Sequence, residues 1–268
     1  MADVAIEVLD NESATIYRPA AEKMARNINE RLWNSDLGVY SLSESSPSDY
    51  SVNGVAFCIL SGVANATQAK HSLSALDGLR LGPGYRDSTL DNANSSDTKI
   101  SPNTNGFLLE AIASQNASIM AKSLVESLWT RMIARDETTT GASWEYVSQS
   151  SDPGLGLFTS LGHPWGSAPT YILPEYVTGV QTAVGPEGFG YKQWTLKPQL
   201  GLDMGLDEAS SETMTVFGKP LKVSWKTLGQ SLSIVVDAPI EASGLVELGG
   251  EKRLLAGSSN YHLDIEVR

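Results

Sequence analysis

The hydrophobic period of the chain changes near residue 180, and this change constrains the fold more than any other feature of the sequence. Before it, apolar residues recur at helical spacing; in residues 16–33 a four-residue stride predicts an inward-facing stripe of Ile16, Ala20, Met24, Ile28 and Leu32. After it, apolar and polar residues alternate in short runs separated by Gly and Pro, most clearly in residues 221–226 and 232–236. The pattern predicts an α plus β chain of two domains, with helices over residues 1–182 and an antiparallel β-sandwich over residues 183–268.

The helical part is predicted to contain several helices joined by polar loops. Besides residues 16–33, helical spacing covers residues 50–66, 67–79, 103–114, 117–135 and 167–179. Residues 87–101 and 136–162 are too polar, or too rich in glycine, for helices and are predicted to be loops. Paired helices of this kind are compatible with an α/α toroid.

The charge of the chain excludes two classes of partner. With 31 acidic and 19 basic residues, the net charge is −12. An acidic surface repels phosphate backbones and anionic lipid heads, so neither nucleic acid nor a membrane surface is an expected partner. No apolar run reaches the roughly 20 residues that a membrane span needs. A small-molecule or sugar substrate is compatible with this charge.

The cysteine count and the N-terminal residues favour a cytoplasmic location over a secreted one. Cys58 is the only cysteine, so no internal disulfide can form, and its apolar surroundings predict a buried, inert thiol. The chain opens without a basic region or an apolar signal core. Secretion stays open because four sequons are present, at Asn11, Asn65, Asn94 and Asn116.

The residues that suggest chemistry lie between positions 144 and 165. Glu145 follows Trp144, and His163 and Trp165 come 18 and 20 residues after that glutamate. Sugars offer C–H faces that stack on indole rings and hydroxyl groups that bind carboxylate and imidazole, and a glutamate can act as a general base toward water. Taken one at a time, the tryptophans are as well explained by packing, and His163 by a loop hydrogen bond.

Together these residues form a longer pattern. Residues 160–173 have the order Ser-Leu-x-His-x-Trp-x-Ser-x-Pro-x-Tyr-x-Leu, after the Trp-Glu pair. This order resembles family 78 glycoside hydrolases, the α-L-rhamnosidases. Other similar segments extend the resemblance over nearly the whole chain: residues 28–40, 100–107, 128–132, 188–198 and 218–225.

The resemblance implies a fold and a set of site residues. The first domain would be the second half of an (α/α)6 toroid, followed by the C-terminal β-sandwich of the family. Glu145 falls where the family has its general base, and His163 where it has a sugar-contacting histidine. Trp144, Trp165 and Tyr171 would bind the substrate. The resemblance implies no cofactor and no metal site.

One part of the family pattern is missing. Inverting glycosidases need a general acid as well as a general base, and in this family the acid lies in an Asp-x-x-x-Arg-x-Glu-like motif of the first half of the barrel. Neither Arg86-Asp87 nor residues 135–137 have that order. The sequence therefore looks truncated before the general-acid half, and it is expected not to be a competent hydrolase alone.

Three functions remain open at this point. The first is a rhamnosidase-like protein with only the general-base half of the pocket. The second is a repurposed acid/base enzyme, such as an isomerase, lyase or cyclase of secondary metabolism, and the third is a non-catalytic carbohydrate-binding protein. A half-toroid would also expose apolar flanks, and covering them predicts a homodimer.

Overall fold

The computed structural model describes residues 1–134 and 139–266 of the chain. The chain divides into two compact units. One is Ala21–Thr170, and the other combines Met1–Ala20 with Tyr171–Arg268. The predicted domain boundary between residues 182 and 183 stays a prediction.

Helices dominate the chain up to residue 178, as the periodicity predicts, and one short helix lies among the later strands. They are α1 (Ala2–Glu7), α2 (Asn11–Leu32), α3 (Val52–Leu60), α4 (Ala66–Ala75), α5 (Pro102–Ser114), α6 (Ser118–Leu124), α7 (Thr130–Ala134), α8 (Pro169–Ile172) and α9 (Gln199–Asp203). A π-helical stretch, Val125–Trp129, joins α6 to α7, and a second one, Leu173–Thr178, follows α8. The helix predicted over residues 117–135 is thus α6, the π-helical stretch and α7, while Arg135 lies outside the described residues.

Side-chain caps fix where three of these helices begin. Ser51 and Ser101 precede α3 and α5, and each hydroxyl accepts a backbone N–H of the first turn. Asn65 and Gln68 form a capping box at the start of α4, in which each side chain binds the other residue's backbone N–H. These contacts satisfy N–H groups that have no partner within the helix. The starts of α3 and α5 matter below, because the candidate site lies there.

Helix α2 corrects one prediction. Ile16 and Met24 of the expected inward stripe are 60% and 65% exposed, and Ala14 is the buried residue of this helix. The four-residue spacing predicted the helix correctly, but an apolar stripe is buried only where another element covers it. No helix in the described residues is long and apolar enough to cross a bilayer. The homodimer that would cover such residues stays a prediction, which light scattering would check.

The strands after residue 180 form two four-stranded sheets. They are β5 (Val180–Thr182), β6 (Gln193–Leu196), β7 (Glu208–Met214), β8 (Pro220–Leu228), β9 (Ser231–Asp237), β10 (Ser243–Leu248), β11 (Glu251–Leu255) and β12 (Asn260–Glu266). Their order is β11-β10-β6-β5 in one sheet and β12-β9-β8-β7 in the other. The β-sandwich prediction is therefore confirmed. The first four strands have two residues each and form small ribbons in the helical unit: β1 (Trp33–Asn34) pairs with β2 (Val39–Tyr40), and β3 (Arg80–Leu81) pairs with β4 (Gly84–Tyr85).

The sandwich is not wholly antiparallel, which corrects the predicted class. β6 and β10 are parallel, with Trp194 opposite Gly244. Parallel neighbours need a long connection between them. Here that connection contains β7, β8 and β9 of the other sheet, and alternation within single strands carries no information about it.

The alternation of the strands builds the core of the sandwich. In β8 and β9 every second residue is buried, which gives an inner face that includes Val223, Trp225 and Ile234. Trp194 of the other sheet is 1% exposed and belongs to the same core. The Trp225 indole donates a hydrogen bond to the Thr178 carbonyl at 3.0 Å, so the end of the second π-helical stretch is fixed to the sheet.

Candidate functional site

Two segments of the unit Ala21–Thr170 bring the candidate residues together. The backbone N–H of Glu145 donates to the carbonyl of Ser160 at 2.9 Å, and that of His163 donates to the carbonyl of Ser143 at 2.7 Å. Residues 143–145 and 160–163 therefore run side by side. The pairing places Glu145 and His163 on adjacent segments although 18 positions separate them in the sequence.

The Glu145 side chain is half-buried and lies close to Ser160 on the adjacent segment. Its Oε2 accepts a long hydrogen bond of 3.5 Å from the backbone N–H of Ser160. A contact of this length is weak, so it orients the carboxylate without using its full acceptor capacity. His163 is also half-buried, and the turn Pro164–Gly166 follows it directly. Both side chains are thus placed where solvent, and a small ligand, can reach them.

Trp144 occupies a different place from the one that the sequence suggested. It is 0% exposed, its indole donates to the hydroxyl of Thr140 at 2.9 Å, and its backbone N–H contacts the sulfur of Met132. A ring with no accessible surface cannot stack on a sugar. The expectation that Trp144 lines a sugar pocket is therefore corrected. Its indole packs in the core and so fixes the residue next to Glu145.

Trp165 lies in the opposite environment and is 73% exposed. Its turn is held in place by the next residue, because Gly166 is buried and its carbonyl accepts a 2.7 Å hydrogen bond from the Trp129 indole. A Cβ atom at Gly166 would lie 3.0 Å from the Cβ of Pro102 and 3.0 Å from the carbonyl oxygen of Trp144. The exposed indole is therefore attached to a tightly packed turn.

Trp129 is a positioning residue that the sequence reasoning missed. It is 4% exposed and ends the π-helical stretch Val125–Trp129. Single π-helical turns often occur at functional sites because they re-aim side chains. The sequence signal was only another tryptophan, and a tryptophan is most often a packing residue.

The start of α5 is where these segments meet. Ile100 and Val147 exchange two backbone hydrogen bonds of 2.8 Å, which fix the segment after Glu145 beside the residue before the Ser101 cap. The turn that carries Trp165 contacts Pro102, the first residue of the same helix. The site is therefore built around one helix start from three separate stretches of sequence.

Tyr171 and the two rejected acid motifs lie outside the paired segments described above. Tyr171 is 43% exposed on α8 and belongs to the other compact unit, so its substrate-binding role stays a prediction. Residues 135–137 lie outside the described residues. Asp87 is described and is taken up below.

Metal and nucleophile chemistry find no support in the part of the chain that the structure describes. No group of three or more His, Cys, Asp or Glu side chains within residues 1–134 and 139–266 could hold a metal ion. Burial raises the pKa of the Cys58 thiol to about 11, so it is protonated at neutral pH. The inert thiol expected from the sequence fits this environment.

A groove on the outer face of the β7–β8–β9 sheet is a competing site. It has a volume of about 580 Å³ and includes Ser210, Ser224 and Ser233 in its lining. Its charged residues Glu208 and Lys226 form an ion pair with each other at 3.0 Å. The residues that line it include no histidine, and their aromatic member, Trp225, is 2% exposed. It therefore does not offer the combination found around Glu145.

Comparison with known proteins gives a consistent family. Residues 179–262 match the family model of the bacterial alpha-L-rhamnosidase C-terminal domain. A comparison with curated protein sequences gave no significant match.

The fold is similar to three solved α-L-rhamnosidases, each with a TM-score of 0.67. The enzyme from Aspergillus terreus is 17% identical, with 98% of this chain and 28% of that one covered. The enzyme from Dictyoglumus thermophilum is 12% identical, with 99% and 30% covered. The enzyme from Streptomyces avermitilis, solved in complex with L-rhamnose, is 13% identical, with 99% and 25% covered.

The chain thus spans between a quarter and a third of the length of the solved enzymes that it matches. The family model accounts for its sandwich, and the structural similarity extends over the helices as well. Residues 179–262 match the family of bacterial alpha-L-rhamnosidase C-terminal domains, and the fold of the chain is similar to part of the solved α-L-rhamnosidases.

Proposed function

We propose that the unit Ala21–Thr170 carries the general-base and sugar-contact half of an α-L-rhamnosidase-type site, built on an arc of an (α/α)6 toroid. The observation that carries the proposal is the pairing of residues 143–145 with residues 160–163 by two short backbone hydrogen bonds. This pairing sets a carboxylate and an imidazole on adjacent segments. An exposed indole follows two residues after the imidazole.

Each of the three side chains has a separate role in this proposal. Glu145 accepts the proton of an attacking water or, without turnover, hydrogen bonds from sugar hydroxyl groups. His163 binds a further hydroxyl through a ring nitrogen. Trp165 offers its exposed indole to the C–H face of the sugar ring. The tightly packed turn at Gly166 limits the motion of the ring in the free protein, which reduces the entropy that the ring loses on binding.

Hydrolysis by this chain alone is not part of the proposal. Inversion at the anomeric carbon needs a second carboxyl group that protonates the leaving oxygen, and the family motif for that acid does not occur in the sequence. General-acid assistance contributes about 10²- to 10⁴-fold in rate. We therefore propose that the chain binds a sugar and keeps Glu145 in the position of a general base.

Isothermal titration calorimetry with L-rhamnose tests the proposal. We expect the wild-type chain to bind the sugar and Glu145→Gln to weaken binding about tenfold, because a hydrogen bond to a charged acceptor is worth about 1.5–3 kcal/mol. Glu126→Gln is the matched control, since it removes an exposed carboxylate from the π-helical stretch and should leave the affinity unchanged.

The same titration separates the proposal from the alternatives. Equal affinity of the wild-type and Glu145→Gln proteins for L-rhamnose would show that the Glu145 carboxylate does not bind the sugar. It would favour the non-catalytic carbohydrate-binding protein. No heat with L-rhamnose, from a folded protein, would contradict the sugar site and favour a repurposed acid/base enzyme with another substrate.

A further inference from the structure

Asp87 lies at the same helix start as the candidate site, between α3 and α5. Its carboxylate Oδ1 accepts a 2.7 Å hydrogen bond from the Thr104 hydroxyl in the first turn of α5. Its backbone carbonyl accepts the N–H of Val52, the first residue of α3, at 2.9 Å. Two helices with capped starts therefore fix both the backbone and the side chain of this residue.

The environment of Asp87 is unusual for a surface carboxylate. Solvent reaches the side chain, yet desolvation by the surrounding protein raises the pKa of its carboxyl group. The Thr104 hydrogen bond opposes this effect, and the nearby Asp91 carboxylate adds to it. The carboxylate is thus partly surrounded by protein and still open to solvent, so a ligand can reach it.

One acceptor of Asp87 is left open. Thr104 uses Oδ1, and Oδ2 has no hydrogen bond to any part of residues 1–134 or 139–266. The neighbouring Asp91 differs, because its Oδ2 accepts from both the N–H and the hydroxyl of Ser88. Asp91 thus orders the loop, while Asp87 keeps a free acceptor next to the protein surface.

Short contacts around the start of α5 connect Asp87 with the Glu145 segment. Thr104, which holds Asp87, is one helical turn beyond Ile100, and Ile100 exchanges two backbone hydrogen bonds with Val147. Val147 follows Glu145 by two positions. Asp87 and the Glu145 segment are therefore both attached to the start of α5.

We infer that Asp87 is a second sugar-binding carboxylate of this site, with Oδ2 accepting a hydroxyl hydrogen bond of the ligand. The inference rests on the proposed function, because it needs the sugar to be bound at the start of α5. Sugar hydroxyl groups suit an accessible carboxylate with an open acceptor, since they donate hydrogen bonds to it. The family motif for the acid plays no part in this assignment.

The stability of the Asp87 variant separates a binding role from a structural one. Because the folded carboxyl keeps its proton to a higher pH than the usual value of 3.8, its ionised form is a cost to the fold at neutral pH. That cost is absent below the usual value and complete above the raised one. Asp87→Asn removes the charge and keeps an oxygen for Thr104, so its unfolding temperature should equal or exceed that of the wild type.

The experiment combines calorimetry with L-rhamnose and thermal unfolding at neutral pH. We expect Asp87→Asn to weaken L-rhamnose binding about tenfold, as expected for a lost charge-assisted hydrogen bond, without a lower unfolding temperature. Asp97→Asn is the matched control, because it neutralises an exposed aspartate of the same loop and should change neither quantity.

Three results would overturn the inference. Unchanged affinity in Asp87→Asn, together with weaker binding in Glu145→Gln, would leave the proposed site standing without Asp87. A loss of affinity that comes with a lower unfolding temperature would show a structural role. Absence of L-rhamnose binding in the folded wild-type protein would overturn the proposed function and this inference together.

Discussion

The purified 268-residue chain should release L-rhamnose from a rhamnose-containing disaccharide, whose leaving group is a poor one, about 10²- to 10⁴-fold more slowly than a full-length α-L-rhamnosidase. The reason is the leaving group: no carboxyl in the family's acid motif is present to protonate the glycosidic oxygen. In the proposed site Glu145 activates water, but water attack alone does not remove the barrier to departure of an unprotonated sugar alkoxide. Chromatographic measurement of the released L-rhamnose gives the rate.

The Glu145→Gln variant is the control for that assay. It should lower any residual rate to that of the buffer, since it removes the general base while keeping the shape of the side chain. Turnover comparable with a full-length enzyme, abolished in Glu145→Gln, would contradict the expectation. It would show that a second carboxyl within this chain acts as the acid, and Asp87 would be the first to replace.

Replacing Trp144 by alanine should cost the fold about 3–5 kcal/mol in the free energy of unfolding. Removing a fully buried indole loses its transfer free energy and leaves a cavity beneath the Glu145 segment. The hydrogen bond to the Thr140 hydroxyl is lost as well. Urea denaturation followed by circular dichroism measures the change.

Trp165→Ala is the matched comparison, because the same residue type is exchanged at a position that is 73% exposed. It should change the free energy of unfolding by less than about 0.5 kcal/mol, and it should weaken sugar binding. Equal destabilisation by the two variants would contradict the division into a packing tryptophan and a ligand-facing one.

The change of hydrophobic period was sufficient to predict the two kinds of secondary structure. Helices such as α3 and α5 follow from apolar spacing, and the sandwich strands follow from alternation. Both signals are local, so they can be read without knowing what packs against each element. For the same reason they failed for α2, whose stripe is exposed at Ile16 and Met24.

Long-range contacts account for the features that the sequence did not reveal. Trp144 and Trp165 both lie next to candidate polar residues, and only the tertiary structure shows that the first is buried and the second exposed. The parallel pairing of β6 with β10 depends on a connection through the other sheet. The starts of two helices hold Asp87, and the sequence, in which Arg86-Asp87 does not match the acid motif, does not show this position.

Amide chemical-shift mapping with L-rhamnose tests the central claim most directly, because it shows where on the chain the sugar binds. The account predicts saturable shifts in residues 143–147 and 160–166 and around Asp87, with the strands β7, β8 and β9 unaffected. Shifts confined to the groove with Ser210, Ser224 and Ser233, or no shifts in a folded protein, would contradict it.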